Sequence, residues 1–441
     1  MDAGKFCYGL AQMTLDLLKL TAIELARHIR SRSVTSEAVV SAHLAQIEAV
    51  NPRLNALVQW APDALQQARE ADLGLARGQS LGPFHGVPFT VKDWIETKDL
   101  ICAAGFAERS EHRPKRDAVV VARLRAAGAI LLGKTNVTEG APVYPRPNNP
   151  HDIDRTPGSS SSGEAAIIAA GGSPMGLASD SGGSIRWPAH CCGVAALKPT
   201  TGLVPLTGHF PRIGHMSDPR TAIGPMARSA RDLGPILAVI AGEDAGDPGT
   251  VPMPFGDPFT VALKGLKVAW FTDLPGAEPT RATVTAVETA AQVMAEHGAI
   301  VTPAMPPRLA ESMEVTLAYW ARVRSAGLSQ WVPQTQTRLN ADQIEQSIFQ
   351  WERFARAMAD FMTQYDLVLS PVAARPAPVH GLISRDEYLY TLPYSLTQQP
   401  VAVVKVGTSP EGMPIGVQIA AKRWRDHVAL AAAIRLEAEL A

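Results

Sequence analysis

Along this chain the apolar positions switch between two spacings. Near the N-terminus they follow the helical one: Val40, Leu44 and Ile47 succeed Thr35 on a single face. Just before them, Thr21-Ala22-Ile23-Glu24 has the form of a capping box, in which threonine and glutamate satisfy each other's free backbone donors. Residues 1–60 therefore read as largely helical. Beyond them, short apolar runs alternate with helical stretches. "GVPFTVKD" predicts a strand, "DAVVVARLRAAG" a helix from Asp117 to a stop at Gly128, and "AILLG" another strand. The alternation returns in "LKVAWF", in the helix ending "MAEHG", and in "AIVTP". It continues through "YDLVLSP", "VAVVKVG" and "PIGVQIAA" to a C-terminal helix. Such a pattern predicts an α/β fold, one domain over 1–441 built on a mixed β-sheet flanked by α-helices on both faces. "EDAGDPGTVPMPFGDP", around residue 250, predicts a long surface connection.

Composition narrows the function classes. With 41 basic against 42 acidic residues and no long run of like charge, the chain lacks the electrostatic footprint of a nucleic-acid or anionic-lipid binder. No run of about eighteen apolar residues predicts a membrane span, and "MDAGKFCYGLAQMTLDLLKL" does not read as a signal peptide. A cytoplasmic location is the expectation. Four cysteines without a CxxC pair suggest no disulfide framework, and Cys191 and Cys192 read as small buried residues. Asn136-Val137-Thr138 matches a glycosylation sequon, which carries little weight without an export signal.

Three short stretches carry candidate chemistry. The first is "TPGSSSSGEAA", whose serine block is too short for a tether and delivers the chain into an alanine-rich helix. In the second, Gly182-Gly183-Ser184 sets a hydroxyl after two glycines, where a tight turn can aim several N–H groups at one point, as an oxyanion hole requires. The third places Lys92 just after an apolar strand, where partial burial favours the neutral amine and so a general base. On its own, each also fits a plain structural role. Gly128 to Thr135 spells GxxxxGK[ST], but a helix precedes it and "AILL" is a buried strand, the wrong context for a phosphate loop. The absence of GxSxG argues against a Ser-His-Asp hydrolase with a nucleophile elbow.

Taken together, "HGVPFTVKD", "DAVVVARLRAAGAILLGKTN", "RTPGSSSSGEAA", "SDSGGSIRWPAHCCGVAALKPTTG" and "PIGVQIAA" resemble segments of the amidase-signature family of serine hydrolases, in the family's order. The resemblance runs from about Leu20 to the C-terminus and implies a catalytic core over 61–441. It implies a Ser–cis-Ser–Lys triad, with Ser184 as nucleophile, Lys92 as base and Ser160 as the bridging serine, joined to Ser159 by a cis peptide bond. Backbone N–H groups of Ser181, Gly182, Gly183 and Ser184 would form the oxyanion hole. Ser161 would support Ser160 by hydrogen bonding, and Asp180 and Arg186 would hold the glycine turn unless they are an ordinary ion pair. Ser159 and Ser162 stand where the family usually has glycine, so positive φ at Ser162 would bring strain. His190 reads as structural or as a pocket residue.

By family position Ala141, Pro142, Tyr144, Trp187, Leu392 and Tyr394 are expected pocket walls. Gly140 and Gln398, with Gln399 beside it, depart from the common pattern. An aromatic, apolar lining suits a small aryl or hydrophobic amide, and the departures suggest a urethanase-like relative cleaving carbamates. The other reading is the glutamine-hydrolysing subunit of a tRNA amidotransferase. The resemblance implies no metal or organic cofactor and a small-molecule substrate. Charge and hydropathy lead to the expectation of no nucleic-acid or membrane partner, and a monomer or homodimer is expected.

Overall fold

The computed structural model describes residues 16–80, 82–215, 218–324 and 339–440. Most of the N-terminal stretch read for a leader, and Cys7, lie outside them. Eleven described strands join one mixed sheet: β1 (Leu57–Trp60), β2 (Pro88–Lys92), β3 (Ile130–Thr135), β4 (Met175–Asp180), β5 (Ala195–Lys198), β6 (Ala222–Ala227), β7 (Lys267–Trp270), β8 (Ile300–Pro303), β9 (Leu367–Pro371), β10 (Val401–Thr408) and β11 (Pro414–Ala421). Their spatial order is β1-β3-β2-β4-β6-β5-β10-β11-β9-β7-β8. Parallel pairing links β3, β2 and β4 on one side and β9, β7 and β8 on the other; the pairs between are antiparallel.

Side chains of the central strands divide alternately between two cores. Leu131, Leu177 and Leu197 enter one, shared with helices Val119–Ala126 and Ala230–Ile240; their neighbours Leu132, Ala178 and Ala196 enter another, shared with helices Ser36–Leu54 and Ser162–Ala169. A period of two with both faces apolar is what a sheet covered on each side demands. Thr21 and Glu24 form the expected capping box, and Thr35 caps Ser36–Leu54 through the Ala38 N–H at 3.0 Å.

The expected strands are present, and four more join them. β1 takes residues 57–60 out of the segment read as helical, and β4, β5 and β6 are "MGLASD", "AALK" and "AIGPMA". Alanine and glycine give the last three weak strand propensity, so position inside the sheet, rather than local preference, makes them strands. Pro225 is tolerated because it pairs only with Leu177 of β4 and lies past the residues that β5 engages. The helix expected from Asp117 starts at Val119, since the Asp117 carboxylate accepts from the Lys98 N–H at 2.7 Å instead of capping it.

Parallel neighbours β2 and β4 end side by side, at Lys92 and Asp180. After β4 the chain turns through Ser181–Ser184 into helix Arg186–Cys192; ahead of helix Ser162–Ala169 comes the serine block. The chemistry-bearing stretches thus meet at the carboxyl ends of adjacent strands, where open α/β sheets form crevices.

Candidate active site

Lys92 closes a strand whose five residues are all buried, and its side chain is fully out of solvent. Its Nζ lies 2.7 Å from Ser160 Oγ, 3.0 Å from Ser179 Oγ and 3.3 Å from the Ser179 carbonyl oxygen. The ring of Trp94 covers it at 4.3 Å. Burial drives the Lys92 pKa well below the ordinary lysine value, against the opposing pull of the Asp180 and Glu164 carboxylates. The amine is therefore neutral over a range in which surface lysines are charged.

The serine block holds a cis peptide bond between Ser159 and Ser160. Ser161 Oγ donates to the Ser179 carbonyl at 3.3 Å, the same oxygen that Lys92 approaches. Ser162 is the first residue of helix Ser162–Ala169 and has no positive φ, so the anticipated strain is absent. Ser159 Oγ pairs with Thr138 Oγ1 at 2.9 Å. At Gly163 the helix passes so near Ala56 O and Asn136 N that a Cβ would come within 2.3 and 2.4 Å of them.

Around Ser184 the turn is held from inside. Asp180 Oδ1 accepts from the Gly183 N–H at 2.7 Å and from Arg186 Nη2 at 2.9 Å; Oδ2 accepts from Ile185 N at 3.1 Å and Arg186 Nε at 2.9 Å. Both charged side chains are fully buried. Burial alone would raise the Asp180 carboxyl, but the Arg186 guanidinium, by charge and hydrogen bond, holds it at about 2. Arg186 also donates to Thr391 O at 2.6 Å and Ser395 Oγ at 2.7 Å, and Thr391 Oγ1 donates to Gly182 O at 2.6 Å. This is a buried bidentate clamp, not a surface ion pair. The Gly183 N–H, expected in an oxyanion hole, is instead engaged by Asp180, leaving the N–H groups of Ser181, Gly182 and Ser184 as candidates for an oxyanion.

Ser160 and Ser184 open on one cavity of about 360 Å³, whose wall includes Ser179, Ser181 and Gly182. Among the described residues the rest of the lining is Trp94, Phe106, Met313, Trp320, Tyr388 and Leu392, with Arg385 as its one charged member. Of the expected walls, only Leu392 lies there. Trp187 is fully buried beneath it, edge-on to Tyr388 at 5.1 Å. Tyr144 turns to Asp93, donating to Oδ2 at 2.5 Å, and Ala141 is buried nearby against Gly105. Pro142 is exposed, and Tyr394 packs in a core with Phe354 and Leu396.

Gln398 and Gln399 line a different cavity, of about 930 Å³, with Trp351 and Met358. Gln398 has φ 61, the left-handed backbone that explains the glycine common at this position. Gln399 is tied to Thr397 and to Ala421 O.

Other expectations resolve simply. His190 is structural, its Nδ1 accepting from Gly416 N at 3.0 Å while Nε2 meets Arg375 O at 3.0 Å. Cys102, Cys191 and Cys192 are free and buried. Asn136 is buried with its amide donating to Asn55 O and Pro145 O, so the sequon is inaccessible. Lys134 is buried in the strand that disqualified a phosphate loop, bonded to Thr97 Oγ1 at 3.0 Å. Among the described residues, no helix is long and apolar enough to cross a membrane.

Ser179, Glu164 and His209 join the site without a sequence motif to announce them. Glu164 accepts from Thr90 and Thr135 beneath the site, and burial raises its carboxyl to about 7. Ser179 precedes the Asp180–Ser184 turn in sequence, but β4, which sets it beside Lys92, has too little strand propensity to signal that position.

The family model for Amidase matches residues 38–354 and 329–430. The chain is 30% identical over 461 aligned positions to an acylamidase from Rhodococcus erythropolis, covering 95% of each protein. It is 33% identical to one component of the glutamyl-tRNA(Gln) amidotransferase from Chloroflexus aurantiacus, covering 91% of this chain and 92% of that one. A solved 6-aminohexanoate cyclic dimer hydrolase with its substrate superposes with a TM-score of 0.83 at 27% identity, over 97% and 98% of the two chains. The chain belongs to the amidase family. It is a hydrolase of carbon–nitrogen bonds other than peptide bonds.

Proposed function

We propose that the chain cleaves small aryl or hydrophobic amides, and carbamates of similar shape, through Lys92, Ser160 and Ser184. The observation that carries this reading is the buried 2.7 Å contact between Lys92 Nζ and Ser160 Oγ, beside a cavity that Ser160 shares with Ser184. Neutral Lys92 accepts the Ser160 proton as Ser160 accepts that of Ser184, and Ser184 Oγ attacks the substrate carbonyl. Backbone N–H groups of Ser181, Gly182 and Ser184 receive the oxyanion. Reversal of the proton path hands a proton to the leaving amine or alcohol. Water then releases the acid, or a carbamic acid that loses carbon dioxide.

The identity to an amidotransferase component favours a second reading, glutamine hydrolysis within a larger assembly. Among the described residues the cavity wall favours the first, because six of its side chains are aromatic or aliphatic and only Arg385 offers charge to a polar zwitterion. The purified chain is assayed alone on an anilide, an ester and a carbamate of matched shape, and on glutamine. Turnover of the anilide or carbamate that disappears in Ser184→Ala supports the first reading. Glutaminase activity that needs partner proteins supports the second.

A further inference from the structure

His209 lies on a loop remote in sequence from Lys92, yet it is knit to the strand end that carries the lysine. Phe210 N donates to Trp94 O at 2.7 Å, Glu96 N donates to Gly208 O at 2.8 Å, and His209 bridges Ile95. The imidazole is buried, edge-on to the Trp94 ring at 6.0 Å. Its Nδ1 faces the Pro211 carbonyl at 3.4 Å and its Nε2 faces Ser179 Oγ at 2.9 Å. A carbonyl only accepts, so Nδ1 carries the proton and Nε2 is left as an acceptor. Ser179 O–H must then donate to Nε2, and Ser179 Oγ is left to accept from Lys92 at 3.0 Å.

Resting on the reading of Lys92 as base, this arrangement decides where the amine's lone pair points. A neutral amine has two N–H bonds and one lone pair. Ser179 offers two acceptors, Oγ at 3.0 Å and the carbonyl at 3.3 Å, which take the two N–H bonds. Among the described residues the remaining oxygen within hydrogen-bond distance is Ser160 Oγ, at 2.7 Å, and it meets the lone pair. With the opposite imidazole tautomer, Nε2–H would donate to Ser179 Oγ. The Ser179 hydroxyl would then be free to donate to Lys92 and would compete with Ser160 for that lone pair.

We propose that His209 is a positioning residue that takes the Ser179 proton and so reserves the Lys92 lone pair for Ser160. It neither gains nor loses a proton in turnover. Burial, and the charge that Lys92 acquires when protonated, hold His209 down at about 3, with Asp218 pulling the other way and His215 adding to the depression. The imidazole thus stays neutral wherever Lys92 works. Glu164 and Asp180 are the carboxylates that face Lys92 itself.

The first test uses the wild-type chain. Nitrogen NMR of selectively labelled histidine, with the His209 signal assigned by its loss in His209→Gln, should show Nδ1 protonated and Nε2 unprotonated from about pH 5 to about pH 9. An Nε2-protonated ring would overturn the proposal. The second test is kinetic. His209→Phe keeps the ring packing but removes the acceptor, and should lower kcat about tenfold to hundredfold with KM within about twofold. His209→Gln, which can accept near the Nε2 position, should recover most of the loss. Adding Ser179→Ala to His209→Phe removes the competing hydroxyl, so the double variant should match Ser179→Ala alone; additive losses would contradict the mechanism. Full activity in Lys92→Met would remove the underlying reading. An inactive Lys92→Met beside a His209→Phe of unchanged kcat would remove only the role of His209.

Discussion

The amine of Lys92 and the hydroxyl of Ser160 lie 2.7 Å apart, the lysine fully buried and the serine 8% exposed. Removing the amine from water depresses its pKa, and the fraction of neutral base at a given pH rises accordingly. Activity should therefore climb with pH as Lys92 loses its proton, and should level off well below the ordinary lysine pKa. A pH profile of kcat/KM on an uncharged anilide checks this. An acid limb at the ordinary lysine position would mean that burial does not hold the Lys92 amine neutral.

The pairing of Asp180 with Arg186 holds the turn that carries Ser184, and both partners are inaccessible to water. Asp180→Asn leaves a buried guanidinium without its countercharge, which costs about 3–5 kcal/mol. It also loosens the Gly183 and Ile185 N–H groups that set the turn, so kcat should fall about tenfold or more. The stability supplied by the pair has a definite sign with pH. The native carboxyl sits near 2, below its ordinary 3.8, so the contribution is complete above 3.8 and is lost as pH falls through about 2. Urea midpoints of the two proteins, measured at neutral and acid pH, should converge on acidification.

Gly183 has φ 143, and a Cβ there would stand 2.4 Å from Thr391 Oγ1, the hydroxyl that donates to Gly182 O. Gly183→Ala should destabilise the fold by about 1–3 kcal/mol through backbone strain, and should also displace the turn and depress kcat sharply. Gly412, between β10 and β11, has φ 84 with nothing within 4 Å of its hypothetical Cβ. Gly412→Ala should lower the melting temperature modestly with kcat unchanged. Equal effects of the two on kcat would show that the turn is not special.

Trp320 and Met313 bring helix Ser312–Arg324 over the cavity. Trp320→Ala should raise KM for an aryl amide by about tenfold while leaving KM for a short aliphatic amide within about threefold, because only the larger substrate loses stacking area. Parallel kinetics on the two substrates check this. An identical change for both would place the tryptophan outside the binding surface.

How far the sequence foretold this molecule follows from the range of the forces involved. The strand ending in Lys92 was legible because an unbroken apolar run followed by a lysine is a local pattern. The serine block and the double-glycine turn were legible for the same reason. β4 and β6 were not, since "MGLASD" and "AIGPMA" carry little strand propensity and are fixed by their neighbours in the sheet. The cavity wall was the least legible part. Met313, Trp320 and Tyr388 reach Ser184 only through the folding of distant segments, whereas Trp187, close in sequence, is turned into the core. Gln398 shows the limit of reading a pocket by position: its backbone fills a glycine-like slot while the residue lines another cavity.

Covalent labelling of the serine that attacks reads the proposed chemistry most directly. The chain is treated with a fluorophosphonate or a slowly turned-over aryl carbamate and mapped by peptide mass spectrometry. A single adduct on Ser184 is expected, formed about a hundredfold or more slowly in Lys92→Met and in Ser160→Ala. An adduct on another residue, or undiminished labelling without the lysine amine, would contradict the proposed relay.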